Sequence, residues 1–181
     1  MAVTSLEEDI ACLKGYIKSY PDFPIPGIVY KDIFSVLNNC DGFQLLNKIL
    51  KKYALDLKGT IDCVAMLEAR GFLLGTLMAL YLNVPCVPVR KKGKLPGRVA
   101  QLEYILEYGK DVLEVQLDAI KEGQRTLIID DLLATGGTLR ASIELLKKTG
   151  AKVVQALVIM ELCDLEGRKK LDIPVKSFVQ F

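Results

Sequence analysis

Short apolar runs alternate with amphipathic segments along most of the chain. The apolar runs carry few polar residues, which is typical of strands that are buried on both faces of a parallel sheet. The segments between them have apolar residues three and four positions apart, a spacing that predicts helices. The predicted strands are IDCVAML at 61–67, CVPVR at 86–90, RTLIID at 125–130 and VVQALVIME at 153–161, and the helices cover 71–82 and 138–148. This alternation predicts an α/β fold with a central, mostly parallel sheet of about five strands flanked by helices.

Two further amphipathic helices are predicted before the first of these strands. One extends to Tyr20 and begins with Ser5 and Glu8 at the spacing of a capping box. The other covers 41–53 and begins in the same way at Asp41. Between them, in the stretch PDFPIPGIVYKDI, three prolines and a glycine between Pro21 and Gly27 exclude regular structure and favour a stiff, extended lid.

The segment AQLEYILEYGKDVLEVQLDAI departs from the parallel scheme. Leu113, Val115 and Leu117 alternate with polar residues, which indicates a strand with one exposed face. The residues EYGKD before it are suited to a turn. We therefore predict an antiparallel hairpin in this part of the chain.

Composition narrows the class of protein. With 181 residues, 51% of them apolar, and 24 basic against 22 acidic residues, the chain has the balance of one soluble globular domain over 1–181. Its net charge of +2 neither requires nor excludes a polyanion as partner. The 19 uncharged residues between Arg70 and Arg90 are interrupted by Asn83 and two prolines, so we expect a helix and a strand there, not a membrane span.

The histidine and cysteine content excludes several kinds of site. The sequence has no histidine, which rules out Ser-His-Asp and Cys-His nucleophile systems and His-ligated zinc. Its five cysteines lie far apart and form no Cys-x-x-Cys pair, as expected for reduced thiols in a cytoplasmic protein. Any proton transfer must therefore be made by a carboxylate, lysine, tyrosine, cysteine or the substrate.

The stretch LIIDDLLATGGTL, 127–139, carries the strongest chemical signal. It places Asp130 and Asp131 at the end of a predicted strand and the turn of 135–138 at the start of a helix. Ligands of open parallel sheets bind at such strand ends, and backbone N–H groups at a helix start suit a phosphate dianion. The carboxylates would repel that phosphate, so they must face vicinal hydroxyls, a metal ion or a developing cation. A sugar phosphate satisfies both requirements, since its phosphate suits the helix start and its hydroxyls suit the carboxylates.

The stretch RKKGKLPG, 90–97, places four cations within five residues directly after a predicted strand. A pyrophosphate group needs such a cluster, because each charge-assisted hydrogen bond contributes roughly 1.5 to 3 kcal/mol. A solvated loop or a nucleic-acid patch has the same composition, so these alternatives stay open from the residues alone.

The stretch 127–139 resembles the phosphoribosyl pyrophosphate signature of the type I phosphoribosyltransferases. Five further segments narrow the resemblance to the adenine phosphoribosyltransferases: YPDFPIPGIVYKDI, LEARGFLLG, VPVRKKGKLPG, LEYGKDVLEVQ and ELCDLEGRKKL. The resemblance implies the type I fold, with a small N-terminal hood formed by about 1–36 and a flexible loop and hairpin at about 90–118. It also implies Mg²⁺ as cofactor and a cytoplasmic homodimer that binds small-molecule substrates, without nucleic-acid or membrane partners.

The resemblance implies a role for each matching position. The 5′-phosphate loop would consist of Ala134, Thr135, Gly136, Gly137 and Thr138. The pyrophosphate would bind at Ala69, Arg70, Arg90, Lys91 and Lys94, in part across the dimer interface, and adenine at Val29, Lys31 and Leu162. The catalytic residues would be Glu107, Asp130 and Asp131, with Tyr108 beside Glu107 in the flexible loop.

The chemistry assigned to these residues is electrostatic. Asp130 and Asp131 would hold the ribose hydroxyls and stabilise a developing cation, directly or through Mg²⁺, which Asp130 would contact. Glu107 would handle a proton of the base, although an exposed strand glutamate before a turn would look the same in the sequence. Lys31 stands where the family often has arginine, and because lysine cannot stack as a flat guanidinium, a contact of about 0.5 to 1 kcal/mol to the base is expected to be weaker.

The sequence thus predicts a purine salvage enzyme that transfers the 5-phosphoribosyl group from phosphoribosyl pyrophosphate to adenine, giving AMP and pyrophosphate. Preorganised charges around an oxocarbenium-like transition state, not a covalent nucleophile, would carry the catalysis. Two alternatives stay open: transfer to another purine base, and a phosphoribosyl pyrophosphate sensor that has lost the chemistry. The presence of both Glu107 and the RKKGK run favours the enzyme over the sensor.

Overall fold

The computed structural model describes residues 4–106 and 109–181, without the side chains of 105 and 106. The chain forms two compact units, Met1–Asp56 and Leu57–Phe181. In the described ranges, no helix has both the length and the apolar character that a membrane span requires.

The N-terminal unit consists of helices and a two-stranded antiparallel sheet. The first helix begins with the predicted capping box, in which Ser5 Oγ accepts the Glu8 N–H at 3.1 Å and the Glu8 carboxylate accepts the Ser5 N–H at 2.7 Å. The first and third helices pack on each other, and Leu13, Leu46 and Leu50 are buried. The elements are α1 (Leu6–Tyr16), β1 (Lys18–Pro21), β2 (Val29–Asp32), α2 (Phe34–Leu37) and α3 (Cys40–Asp56).

Two helix boundaries in this unit differ from the prediction. α1 ends at Tyr16, not at Tyr20, because the residues that follow it pair with β2 as an antiparallel strand and cannot continue the helix. α3 is capped by Asn39, whose side-chain oxygen accepts the Gly42 N–H at 2.9 Å, so the capping box expected at Asp41 is wrong. Residues 22–28 form the loop between β1 and β2, which confirms the predicted lack of regular structure over 21–27 except at Pro21, the last residue of β1.

The second unit is built on a seven-stranded sheet with the order β5-β6-β4-β3-β7-β8-β9. Five neighbouring strands of this sheet, β4, β3, β7, β8 and β9, run parallel, which confirms the predicted parallel sheet. The predicted hairpin, β5 with β6, joins this sheet antiparallel at the β4 edge. The strands are β3 (Cys63–Leu67), β4 (Cys86–Lys91), β5 (Val99–Leu106), β6 (Gly109–Gln116), β7 (Arg125–Leu133), β8 (Lys152–Glu161) and β9 (Val175–Gln180), and the helices are α4 (Arg70–Leu82) and α5 (Gly137–Lys148).

Two features of this sheet go beyond the prediction. β7 continues past Asp130 to Leu133. The paired acids therefore lie within the C-terminal half of the strand, where its pairing with β8 holds their backbone. β9 was not predicted, because Lys176, Ser177 and Gln180 interrupt its apolar residues. It lies at the edge of the sheet, where one exposed side is tolerated.

Glycines let α4 lie close to the sheet. A Cβ atom on Gly75 would come 2.6 Å from Met66 Cβ in β3, and one on Gly71 would come 2.7 Å from the carbonyl oxygen of Ile129 in β7. Real Cβ atoms do not approach other atoms so closely, so larger residues would push the helix outward. The start of α4 is therefore fixed against the ends of β3 and β7.

We predict that Gly75→Ala destabilises the protein by about 1 to 3 kcal/mol, the usual cost of forcing an extra methyl group into a packed core. Denaturant unfolding would measure the change. Gly15→Ala is the matched control, since nothing lies within 4 Å of the Cβ that it would add to α1. This control should unfold at the same or a slightly higher denaturant concentration. Equal stability of Gly75→Ala and the wild type would contradict the close packing of α4.

Candidate active site

The carboxyl ends of β4, β3 and β7 meet at one edge of the sheet, because these neighbouring strands run parallel. A cavity of about 400 Å³ opens at this edge, and both charged groups and backbone of the following loops line it. Parallel sheets bind their ligands at this position. Of the predicted site residues, the lining contains Ala69, Arg70, Lys91, Asp130, Asp131, Ala134, Thr135, Gly136, Gly137 and Thr138.

The two adjacent acids have different environments. Asp131 is almost completely buried and accepts the Arg70 Nε–H at 2.7 Å through Oδ2. Asp130 accepts the backbone N–H of Asp131 at 2.9 Å through Oδ1. Burial, followed by the negative charge of Asp131, raises the pKa of Asp130 well above its ordinary value. The arrangement thus concentrates negative charge that a hydroxyl-bearing or cationic group can relieve.

The loop before α5 presents backbone to the cavity. Gly136 has φ +78° and caps the helix start without a side-chain hydrogen bond, which leaves the N–H groups of the first turn directed at the cavity edge. A Cβ atom on Gly136 would lie 2.5 Å from the carbonyl oxygen of Gly167, and one on Gly167 would lie even closer to that of Ala134. Glycine is required at both positions, and the loop is shaped as a cradle for an anion.

Carboxylates hold the cations on the other side of the cavity. Glu68 accepts the Arg90 Nε–H at 3.1 Å and the Lys91 N–H at 3.0 Å. Lys91 Nζ lies 3.1 Å from Asp111 Oδ2. Although burial opposes ionisation of Glu68, these bonds outweigh it and lower the pKa of the carboxyl. Three of the predicted cations, Arg70, Arg90 and Lys91, are therefore each paired with a carboxylate.

Some predicted residues lie outside the cavity lining or outside the described part of the chain. Arg90 and Lys94 belong to the end of β4 and the turn after it and do not line the cavity. Leu162 follows β8, where its N–H donates to the Leu133 carbonyl at 2.9 Å. In the N-terminal unit, Val29 is exposed in β2 and Lys31 Nζ donates to Ser19 Oγ at 2.9 Å. Glu107 and Tyr108 are not among the described residues.

Sequence reasoning missed several residues that shape the site. Tyr104 and Asp111 line the cavity and are paired across the hairpin register, so their side chains share a face. Burial raises the pKa of the Tyr104 hydroxyl, and the nearby side chains of Thr138 and Asp111 also act on it. The pairing depends on the hairpin register, which the segment LEYGKDVLEVQ does not reveal although it contains Asp111.

The part of the chain that the structure describes contains no cluster of three or more Cys, Asp or Glu residues suited to a metal ion. Mg²⁺ does not need such a cage, because it is usually bound by one or two carboxylates together with water and substrate phosphates. The acid pair, in which Asp131 is already bonded to Arg70, offers such a limited set of oxygen ligands. The residues present therefore fit Mg²⁺ that shares its ligands with a phosphorylated substrate.

The chain is similar to known proteins over its whole length. A model of the phosphoribosyl transferase domain matches residues 34–180. The adenine phosphoribosyltransferase of Drosophila pseudoobscura pseudoobscura is 44% identical over 181 residues and 100% of both chains. That of Gluconobacter oxydans (strain 621H) is 47% identical over 93% of both chains.

Solved structures give the same result. The adenine phosphoribosyltransferase of Saccharomyces cerevisiae, complexed with D-2,5-dideoxy-2,5-imino-altritol 1,6-bisphosphate and adenine, matches with TM-score 0.88 and 39% identity over 95% of this chain and 99% of that one. The enzyme of Thermoanaerobacter pseudethanolicus matches with TM-score 0.87 and 47% identity over 98% of this chain and 100% of that one.

We predict that Asp130→Asn makes the protein more stable at neutral pH. A carboxyl with a raised pKa stabilises the folded state fully below its unfolded pKa, and this stability is lost as the pH rises through the folded pKa. The amide removes this loss because it carries no charge near Asp131. Urea unfolding from about pH 4 to about pH 8, with chelator present, would measure the difference.

The control for this experiment is Asp118→Asn, which changes an exposed acid outside the cavity. Its stability should follow the wild-type curve at every pH. A lower stability of Asp130→Asn than of the wild type at neutral pH would show that the ionised carboxylate is favoured in the fold and would contradict the interpretation of the acid pair.

Proposed function

Because the chain belongs to the adenine phosphoribosyltransferases, within the phosphoribosyltransferase family, we propose that it transfers the 5-phosphoribosyl group from phosphoribosyl pyrophosphate to adenine. The products are AMP and pyrophosphate, so the reaction salvages a purine base. The observation that carries this proposal is the combination, in one cavity, of a paired-acid strand end with a backbone cradle at a helix start.

The cradle suits the 5′-phosphate of the sugar. The N–H groups at the start of α5 and the positive end of its dipole favour a dianion, and no acidic residue lies in the first turn of the helix. Thr135 and Thr138 add hydroxyl groups to the cavity lining. With Ala134, Gly136 and Gly137, these residues form the proposed phosphate site.

The acid pair suits the ribose. Asp130 and Asp131 shortly precede the cradle in the sequence and line the same cavity. A phosphate bound in the cradle would therefore place the sugar ring over their carboxylates. Their oxygens can accept the ribose hydroxyls, and their charge stabilises the cation that develops at C1 as the pyrophosphate leaves. Charges fixed before the reaction stabilise a transition state without reorganisation, which makes them the main catalytic contribution.

The opposite side of the cavity suits the leaving group. Arg70 and Lys91 line the cavity, and the Ala69 N–H lies in the loop between β3 and α4. Arg90 and Lys94 belong to the adjoining basic turn and add charge beyond the lining. Binding of pyrophosphate would release Lys91 from Asp111, which costs little because Lys91 is largely exposed. Arg70 would keep its Nε–H on the buried Asp131 and offer its remaining N–H groups to the pyrophosphate.

Mg²⁺ is the cofactor that this site suits. Asp130 would hold it, directly or through water, and pyrophosphate oxygens would complete its ligands. When bound, Mg²⁺ neutralises charge on the pyrophosphate and stabilises its departure. Asp131 would remain bonded to Arg70, so that one acid faces the metal and the other keeps the cation in place.

Adenine recognition and the base proton are assigned by family membership. Family membership implies that Val29, Lys31 and Leu162 would each contact adenine, and that Glu107, with Tyr108 beside it, would handle the proton at the base. The exposure of Val29 is in keeping with a residue that contacts a ligand instead of the core. The absence of histidine from the sequence leaves a carboxylate as the best candidate for this proton transfer.

We further propose that the chain acts as a single domain and assembles as a homodimer in the cytoplasm. The family model covers parts of both compact units, which favours one functional domain. Leu73 and Leu80 lie on one face of α4 and are exposed by 46% and 73%, as expected for residues that a second copy covers. The five cysteines carry free thiols, which suits a reducing compartment.

The function is tested by supplying phosphoribosyl pyrophosphate and Mg²⁺ with adenine, hypoxanthine or guanine in separate reactions. The proposal expects AMP and pyrophosphate from adenine and no nucleotide from the other bases. Product from hypoxanthine or guanine alone would support the alternative base, since a 6-oxo group needs a donor where the 6-amino group needs an acceptor. Binding of phosphoribosyl pyrophosphate without product from any base would support the sensor.

We predict that Asp131→Asn lowers kcat/KM by roughly 10²- to 10³-fold, the usual effect of removing one preorganised charge from a transition state. Steady-state kinetics of AMP formation, on protein whose circular dichroism is unchanged, would measure this. Asp172→Asn changes an exposed acid that pairs with Lys147 outside the cavity, and it should keep full activity. Wild-type activity of Asp131→Asn would remove the acid pair from the mechanism.

A further inference from the structure

Glu114 is a buried acid that lies outside the cavity and that the proposed mechanism does not use. It belongs to β6 of the hairpin, and only 1% of it is exposed. An ionised carboxylate in such a position is costly unless hydrogen bonds replace the water that it loses. Its partners therefore indicate why this position carries a charge.

The partners of Glu114 are the backbone of the basic turn and a neighbouring amide. Oε1 accepts the N–H groups of Lys94 and Leu95, both at 2.8 Å, and Oε2 accepts the Gln101 side-chain amide at 3.2 Å. Burial alone would raise the pKa of Glu114, but bonds from the N–H groups of Leu95, Gly93 and Lys94 outweigh it and lower the pKa. The carboxylate thus stays ionised and lies in a nest of backbone donors.

These bonds extend to the cations of the turn. The Lys94 carbonyl accepts the Arg90 Nη1–H at 3.2 Å, and Arg90 also lies opposite Glu114 in the register of β4 and β6. Two residues further along β6, on the same face as Glu114, the half-buried Gln116 donates to the Pro96 carbonyl at 3.1 Å. Two side chains on one face of β6, Glu114 and Gln116, therefore hold the backbone of the turn, and Glu114 is the charged one of the two.

We propose that Glu114 is a positioning residue for the leaving group, whose buried carboxylate fixes the backbone of 93–95 and so holds Arg90 and Lys94 ready for pyrophosphate. The inference rests on the proposed function, because it assigns pyrophosphate to this turn. The negative charge also offsets the repulsion among the cations of RKKGK before the ligand arrives. Glu114 touches neither ligand nor reacting atoms, so its effect reaches the reaction only through the turn.

The test compares the wild type with Glu114→Gln in AMP formation and in calorimetric binding of pyrophosphate with Mg²⁺. The amide keeps the size of the side chain but loses the charge and places a donor opposite Gln101. We expect the KM for phosphoribosyl pyrophosphate and the Kd for pyrophosphate to rise about tenfold, the loss typical of one charge-assisted hydrogen bond. The KM for adenine should change less than about twofold.

The matched control is Glu103→Gln in β5, which removes an exposed hairpin acid that pairs with Lys110. It should leave both constants unchanged. If Glu114→Gln lowers Tm while the KM for phosphoribosyl pyrophosphate and the Kd for pyrophosphate match the wild type, Glu114 is merely structural and the proposal is wrong. A proportional loss of kcat with unchanged KM values would lead to the same conclusion.

A measurement on the wild type covers the case in which Glu114→Gln does not fold. Hydrogen exchange of the unliganded protein should show the Lys94 and Leu95 amides protected, as in the strands. Exchange of both at the rate of an open loop would overturn the proposal. If the wild type makes no AMP, the proposed function is wrong, whatever the role of Glu114. If pyrophosphate binds equally to the wild type and Glu114→Gln, or to neither, the role of Glu114 itself is rejected.

Discussion

The ion pair between Arg70 and Asp131, 2.7 Å from Nε to Oδ2, joins the start of α4 to the end of β7. Under the proposed function, one cavity holds acids for a sugar and cations for a polyphosphate, and this pair keeps the opposite charges in fixed positions before a ligand binds. The pairs of Arg90 with Glu68 and of Lys91 with Asp111 repeat the arrangement on the neighbouring strand. Each cation is thereby oriented before a ligand binds. Lys91 is largely exposed, so an incoming anion can replace its carboxylate partner at small cost, whereas Arg70 stays bonded to the buried Asp131.

Close backbone packing fixes where these charges lie. Gly71 allows α4 to approach β7, and Gly136 and Gly167 allow the segment after β8 to lie against the loop before α5. Arg168 in the same segment donates to Glu161 at the end of β8, which anchors the segment to the sheet. The anion cradle is therefore a property of backbone geometry, supported from behind by a part of the chain that contributes no charge to the cavity. Such support is what a site needs if it is to be rigid before its ligand arrives.

The sequence was most informative where local chemistry determines structure. Uninterrupted apolar runs predicted the parallel strands, and the capping box at Ser5 and the glycine turn before α5 were correct because they depend on a few adjacent residues. The prediction failed where pairing between separate segments determines the secondary structure. Tyr20, which was predicted to end a helix, belongs to a strand because it pairs with β2. The edge strand β9 was missed because Lys176, Ser177 and Gln180 interrupt its apolar residues, and only its pairing with β8 shows it to be a strand.

The candidate site shows the same division. The motif at 127–139 identified the acids and the cradle, since both are encoded within one strand-to-helix connection. The roles of Tyr104, Asp111 and Glu114 depend on the register of the hairpin and on where the turn after β4 folds back, and neither can be read from a single stretch. Glu107 and Tyr108 lie outside the described residues, so their roles stay predictions.

The central claim is that one cavity binds both charged ends of phosphoribosyl pyrophosphate, and a crystal structure with this substrate and Mg²⁺ tests it most directly. The account predicts the 5′-phosphate on the N–H groups of 135–138, the ribose hydroxyls on Asp130 and Asp131, and the pyrophosphate beside Arg70 and Lys91. A substrate bound with its pyrophosphate in the cradle before α5, or away from the two acids, would contradict it.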